Sequence, residues 1–397
     1  MRDQPKGPAA SAGPFHVRPP TPPGTFNFTR ITGVKVIVIG AGVIGCAVAY
    51  ELASRRADVE VVDPRAIAAG ATHASAGMLA PYSEGHHQQL LSLGLASLGR
   101  YDAFVERLHR ESHVRFEYER SGSLQVAVGD AEAARLKTDA ENWRSSGVAV
   151  EWLEGAVLRD AAPSLTLDAT AALLLPMQGY VDATGMTRAL AAGAEHRGVH
   201  FTTERVLTID ARRDGVRVIT PDGAIEGDAL VLAAGSWSAA IAGVGAWPPP
   251  VKPIRGQLLH LRAPARVAPR ILWGSSCYVV PWHNGTTLVG ATMEDAGFDE
   301  RPTAAGVRYL LNAVESLIPS AGAAAFEEVR VGLRPKTPDE LPIIGPSSTM
   351  PHVFHATGHY RNGILLTPLT ADLVADLVLD RRDHPELALT NPTRFGL

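Results

Sequence analysis

Two cysteines, Cys46 and Cys277, in 397 residues are too few for a disulfide framework and form no metal-ligand pair. They suit a reducing, cytoplasmic compartment. Charge of one sign is also scarce in excess: 37 Lys and Arg against 41 Asp and Glu leave a net charge of −4, which gives no electrostatic case for nucleic acid or an anionic membrane. No apolar run is long enough to span a bilayer. The stretch 1–33 holds Pro14, Pro19, Pro20, Pro22 and Pro23 but no apolar core, so it is not a secretory signal and reads as a disordered extension. G-x-S-x-G and H-E-x-x-H are missing, which removes the serine-hydrolase and zincin signatures, and no metal site is expected. What remains, 46% hydrophobic and 20% charged, is the composition of a globular enzyme with room for two domains.

The strongest signal present is the run Val34-Lys35-Val36-Ile37-Val38-Ile39-Gly40-Ala41-Gly42-Val43-Ile44-Gly45. It reads as a buried strand, a glycine turn and the start of a helix. At the G-x-G-x-x-G spacing, Gly40 permits the turn, Gly42 lets backbone amides approach a pyrophosphate and Gly45 lets helix pack on strand. A second strand ends in Asp63, about 20 residues beyond, where a carboxylate accepts ribose hydroxyls. Cys46, directly after the third glycine, reads as a small buried helix residue. The next run, Gly70 to Pro81, is too glycine-rich for a helix and too apolar for an ordinary surface loop. It offers either a flat surface for a ring or a tight interdomain loop.

Further along, the apolar spacing predicts helices over 90–110, 131–143, 186–196, 304–317 and 366–380. Strands are expected over 123–128, 199–201, 204–209, 216–220, 256–261, 277–281, 287–291, 328–333 and 352–358. The run ending in Ala233-Ala234-Gly235 is apolar enough for a central parallel strand returning to the nucleotide sheet. The fold class is therefore α/β (α+β overall): a Rossmann-like nucleotide domain from 34–90, 165–240 and 325–397, interleaved with an antiparallel-sheet substrate domain from 91–164 and 241–324.

Three residues stand out in apolar, strand-like surroundings: Tyr278, Arg334 and Arg361. An arginine ending a buried strand must be paired, and its planar fork suits either a substrate carboxylate or a protein acid. After Arg361, Pro368 suits the first turn of a helix, so the amides of Asn362 to Leu366 are expected to converge on one acceptor such as a flavin carbonyl. His73, His283, His355 and His359 fit no triad or metal spacing and read as structural.

Four segments together resemble the FAD-dependent amino-acid oxidases of the D-amino-acid oxidase superfamily and, within it, the bacterial glycine oxidases of thiamine biosynthesis. They are A-G-M-L-A-P from Ala76, G-A-T-M from Gly290, G-L-R-P-K-T-P-D-E-L-P-I-I-G from Gly332 and G-H-Y-R-N-G-I-L-L-T-P from Gly358. Besides the glycines of the turn and Gly235, the resemblance implies that Val43, Ile44, Asp63, Ala71, Thr72, Ala76, Gly77, Met78, Val206, Asn362, Gly363, Ile364, Leu365, Leu366, Thr367 and Pro368 line FAD. It implies that Tyr278 and Arg334 hold the substrate carboxylate, with Arg361 and Met293 beside the pocket. Sarcosine oxidases, similar over T-P-D-E, tether flavin through a cysteine where this chain has Gly332, and they carry lysines where it has Leu288 and Leu365. His73 is one residue away from the histidine that tethers flavin in dimethylglycine-dehydrogenase-like enzymes. The resemblance thus implies non-covalent FAD, from Gly332 and the displaced His73, and the loss of both lysines, with Arg334 present, argues against the N-methyl amino-acid class.

The implied reaction is hydride transfer from the substrate Cα to the flavin without a general base. It yields an imine, then a keto acid and ammonia, while O2 becomes hydrogen peroxide. The implied partners are a small amino acid and O2, in a homo-oligomer. Oxidases of sarcosine, proline or D-amino acids, a dehydrogenase with another acceptor, and a flavin-binding protein without turnover remain as alternatives.

Overall fold

The structure, a computed structural model, describes residues 33–83, 88–243, 248–263, 265–380, 382 and 384–397. The expected extension over 1–33 lies outside them, apart from Gly33. The β-branched run forms the strand Lys35–Ile39, four of whose five residues are buried. It lies inside a six-stranded sheet of order 343–346, 353–357, 229–232, 35–39, 58–62 and 200–202. All neighbours are parallel except the edge strand Ile343–Pro346. The run before Gly235 thus does return, as Ala229–Leu232, to pair beside the first strand.

The helix Val43–Ser54 is buried along almost all its length rather than on one face. It needs cover on every side: the sheet lies beneath it, and the helices Ala183–Glu195 and Thr367–Ala375 pack against it. Gly193 makes that approach possible, because a β-carbon there would sit 2.9 Å from the Tyr50 ring. The C-terminal end of Val43–Ser54 is tied by charge. Arg55 bonds Glu51 at 2.9 Å and also Asp376, while Arg107 reaches Glu51 at 2.6 Å.

A second, eight-stranded sheet has the order 325–336, 252–262, 286–290, 278–281, 271–273, 123–128, 169–175 and 151–154. It is antiparallel throughout apart from the pair Ile271–Trp273 with Ser123–Val128. The segment limits expected at 165 and 325 do not match the sheets, since Ala169–Leu175 and Ala325–Lys336 both pair here. Each limit was drawn from local pattern, whereas sheet membership follows from partners far away in the chain. Residues of the helix Tyr101–Ser112 join the same core as the helix Val43–Ser54, against the six-stranded sheet, and so lie outside the domain expected for 91–164.

Smaller differences have local causes. The helix expected over 90–110 is two helices, Gln88–Leu98 and Tyr101–Ser112, broken at Gly99. The strand expected at 204–209 lies at Thr208–Arg212, paired with Gly215–Thr220 in a tight hairpin. The last helix is α-helical only over Thr367–Ala375 and widens to a π-turn at Asp376–Asp380.

Burial alone would raise the pKa values of Glu51 and Asp376. The hydrogen bonds and charge of Arg107 and Arg55, joined at Asp376 by His384, outweigh it and hold both below their ordinary 4.5 and 3.8. A depressed carboxylate contributes stability above its unfolded pKa and loses it as pH falls through the folded one. Asp376→Asn should therefore cost about 1–3 kcal/mol at pH 7. The gap in melting temperature from the parent should close as pH drops below 3.8; a gap independent of pH would remove the ion-pair account.

Candidate functional site

The carboxyl ends of the parallel strands open onto one long cavity, where Gly40, Asp63, Ala233, Thr357 and Gly358 form part of its lining. Gly40 turns at φ +114°, and a β-carbon there would lie 2.5 Å from the Ala233 carbonyl oxygen. At Gly45 a β-carbon would lie 1.8 Å from the Gly40 oxygen, so this third glycine sits under the turn rather than on the cavity. The helix it begins has Gly42 as N-cap with no side-chain cap and no acid in its first turn. Its positive end thus faces the cavity without a competing anion. Asp63 accepts the Ala41 and Arg65 amides, each at 2.8 Å, which fixes its carboxylate beside the turn. The Thr72 hydroxyl accepts the Val43 amide at 3.1 Å, joining the small-residue loop to the helix start.

That loop, with Ala71, Thr72, Ala76, Gly77 and Met78 on the cavity, leads to the second sheet. It packs tightly there: a β-carbon at Gly332 would come within 2.8 Å of Ala74 Cβ. Val43, Ile44, Gly42, Gly235, Gly363 and Ile364 also line the cavity, as do all four residues expected at the substrate, Tyr278, Met293, Arg334 and Arg361.

The remainder of the expected set is elsewhere. Val206 is buried in the cluster of Val62 and Ile209. Leu365 and Leu366 are in the core, and Pro368 opens the helix Thr367–Ala375. Of the five amides expected to converge, two are used within the turn: Asn362 N bonds the His359 carbonyl and Leu366 N the Asn362 carbonyl, both at 2.8 Å. The Thr367 hydroxyl closes on Gly363 O at 2.7 Å.

At the substrate end two strands carry side chains laid over glycines. Arg334 stands opposite Ile254 and its guanidinium leans across the neighbouring Gly256, where a β-carbon would sit 2.2 Å from Nη1. Tyr278 pairs with Gly290, where a β-carbon would sit 2.3 Å from the phenol oxygen. Arg334 donates to the Thr292 carbonyl at 3.0 Å, and among the described residues it has no acid partner. Its neighbours by contrast are paired: Arg330 with Glu328, and Arg255 with Glu294 and Asp299.

Sequence reasoning missed several lining residues. Arg65 stacks over the Trp237 ring at 4.0 Å and pairs with Glu300 at 3.1 Å. Trp273 lies 5.5 Å from the Tyr278 ring, and Tyr360 donates to Met293 Sδ at 3.0 Å. Only Arg65 had a usable signal, its place two residues after Asp63.

The histidines divide. Burial pushes His359 down to about 3, and its Nε2 meets the Thr370 hydroxyl at 3.0 Å, a neutral structural role. His355 is also held neutral by burial, at about 4, but neither ring nitrogen has a partner among the described residues, so it is not the satisfied histidine expected. His283, Glu117 and Glu119 bring three possible ligand atoms within 4.8 Å of one another. Arg266 and Tyr180 already bond Glu119, at 2.6 and 2.7 Å, so that group is internally compensated. Among the described residues no helix is long and apolar enough to cross a membrane.

These features fit one kind of group, a dinucleotide with its pyrophosphate at the helix start, its ribose on Asp63 and a flat ring against small residues. The chain belongs to the FAD dependent oxidoreductase family, whose model matches residues 35–377, and FAD is its cofactor. This bears out the class expected from the sequence, an FAD-dependent enzyme of the amino-acid oxidase superfamily. The chain is similar to the glycine oxidase of Geobacillus kaustophilus, 34% identical over 90% of this chain and 96% of that protein. Its fold matches the crystal structure of a glycine oxidase from that organism with a TM-score of 0.87, covering 92% of this chain and 99% of the other. It is also 35% identical to a bifunctional ThiO/ThiG protein of Synechocystis sp., over 92% of this chain; it spans only 54% of that relative. An iminodiacetate oxidase from Chelativorans sp. shares the fold at a TM-score of 0.83 and 28% identity, over 90% of this chain and 98% of the other.

The glycine beneath Arg334 makes a direct test. Gly256→Ala should displace the guanidinium and weaken the binding of a small carboxylate about tenfold, some 1.4 kcal/mol, read from the shift it causes in the visible spectrum of the bound flavin. Undiminished binding would mean that Arg334 does not need this seat.

Proposed function

We propose that this chain oxidises glycine and other small amino acids such as sarcosine or D-alanine, with O2 as electron acceptor and a role in thiamine biosynthesis. The observation that carries the reading is Arg334. An arginine on a cavity wall whose only bond is to a carbonyl, among the described residues, is a guanidinium whose acid has yet to arrive, and an amino-acid carboxylate matches its fork. That favours the substrate clamp over a structural ion pair.

Bound FAD would supply the two-electron acceptor for a hydride from the substrate Cα, with O2 as the final oxidant and hydrogen peroxide as its product. The chain's own share is placement. Arg334 and Tyr278 hold the carboxylate, so that the Cα is fixed in one orientation. Arg361 and Met293 border the pocket. No residue need act as acid or base. Asp63, at the nucleotide end, is the only carboxylate on the cavity among the described residues; His359 stays neutral, and burial pushes the Cys277 thiol up to about 12. An amine bound in its neutral form then needs no proton acceptor. FAD is held without a covalent bond: Gly332 offers no nucleophile, and its strand and the 70–78 loop are in direct contact. Free, buried Cys46 and Cys277 suit the cytoplasm, and a homo-oligomeric assembly remains part of the reading.

Arg334→Ala should raise KM for glycine about 100-fold, the loss of a charge-assisted pair of roughly 3 kcal/mol, while the purified protein stays yellow; Arg334→Lys should recover part of it. Peroxide release with glycine, sarcosine, D-alanine and D-proline ranks the substrates. Unchanged KM in the alanine variant removes Arg334 from the clamp, and a flavin that no amino acid bleaches under anaerobic conditions leaves only cofactor binding.

A further inference from the structure

The cavity mouth carries a sulfur in an unusual position. Met293 is 66% exposed although it lines the cavity, whereas Met186 and Met350 are buried at 0% and 6%. Its thioether is oriented rather than loose, because the Tyr360 hydroxyl donates to Sδ at 3.0 Å. Tyr360 is itself fixed: it is 6% exposed, its amide bonds the Pro335 carbonyl at 2.9 Å, and the Lys336 ammonium and Arg361 guanidinium lie over its ring at 5.2 and 5.4 Å. One lone pair of the sulfur accepts the Tyr360 proton and the other is open to whatever leaves the cavity. Thioethers are the soft, oxidisable side chains of proteins, and exposure sets their rate of oxidation.

We propose that Met293 is a modification site, oxidised to its sulfoxide by hydrogen peroxide released from this cavity during turnover. The inference rests on the oxidase reading above, which supplies the oxidant. The free lone pair of Sδ attacks one peroxide oxygen, and the S–O bond forms as the O–O bond breaks. The departing oxygen takes the proton of the attacked one and leaves as water. Sulfur loses two electrons and the peroxide gains them, so no other reagent is needed. The sulfoxide oxygen is a stronger acceptor than the thioether, so Tyr360 keeps a partner and the mouth becomes more polar.

Met177 provides the internal reference, being 37% exposed and absent from the cavity lining. The holoenzyme is turned over with glycine in air, with excess catalase in solution to destroy escaped peroxide, and the methionine peptides are compared by mass spectrometry. Met293 should gain one oxygen about fivefold or more faster than Met177, and methionine sulfoxide reductases should remove it. Peroxide added to the resting holoenzyme without catalase should instead oxidise the two within about twofold, following their exposures of 66% and 37%. Equal rates under turnover, or a reduced Met293 after peroxide has been produced, overturn the inference and leave the oxidase reading standing. Failure to form peroxide with any amino acid overturns that reading, and with it the source of the oxidant.

Discussion

Everything at the nucleotide end depends on a missing β-carbon. The helix Val43–Ser54 starts against the first strand only because Gly45 has nothing where a methyl would lie 1.8 Å from the Gly40 carbonyl oxygen. That approach aims the positive end of the helix into the cavity, a position that favours an anion. The same device recurs at the opposite end of the site. Gly256 and Gly290 leave flat ground on adjacent strands, and Arg334 and Tyr278 lie across it. Both ends of the cavity are thus shaped by glycines that remove volume, and the polar groups act through the space so created.

The electrostatic layout follows from which charges are paired. Around Arg334 the strands carry arginines already tied to acids, as Arg255 is to Glu294 and Asp299. A paired guanidinium has little left to offer a ligand, whereas one bonded only to a carbonyl keeps most of its donors. The carboxylate on the other side of the balance, Asp63, is fixed at the nucleotide end by two backbone amides. The cavity therefore runs from a helix dipole and an acid to a cation, with small apolar residues between, which suits a ring flanked by a phosphate-bearing tail and an amino acid.

Much of this was legible in the sequence. The strand, turn and helix at 35–54 carry their own periodicity and glycine spacing, and the loop 70–81 betrays itself by being apolar yet unable to form a helix. The Arg334 segment announced an arginine in a buried strand but left its partner open, because one chain position cannot say whether an acid stands opposite. The place of Val206 and of the amides after Arg361 was open for a related reason. Whether a backbone amide faces a ligand depends on whether its own turn has already used it, and the bonds from Asn362 and Leu366 are closed locally. Trp237, Trp273 and Tyr360 were missed because their place on the cavity follows from segments that meet only in three dimensions.

Local chemistry was therefore settled by the chain alone: β-branched runs, glycine turns and an acid at a fixed distance need only neighbours in sequence to take shape. The tertiary structure decided what pairs with what. The strands at 169–175 and 325–336 joined the second sheet through partners remote in sequence, and those pairings carry Arg334 over Gly256. The physical reason is that strand pairing and charge pairing are contacts between distant segments, so their outcome is a property of the assembled fold. The sequence supplied a glycine turn for a nucleotide and an arginine in a buried strand, and the folded chain put both on one cavity.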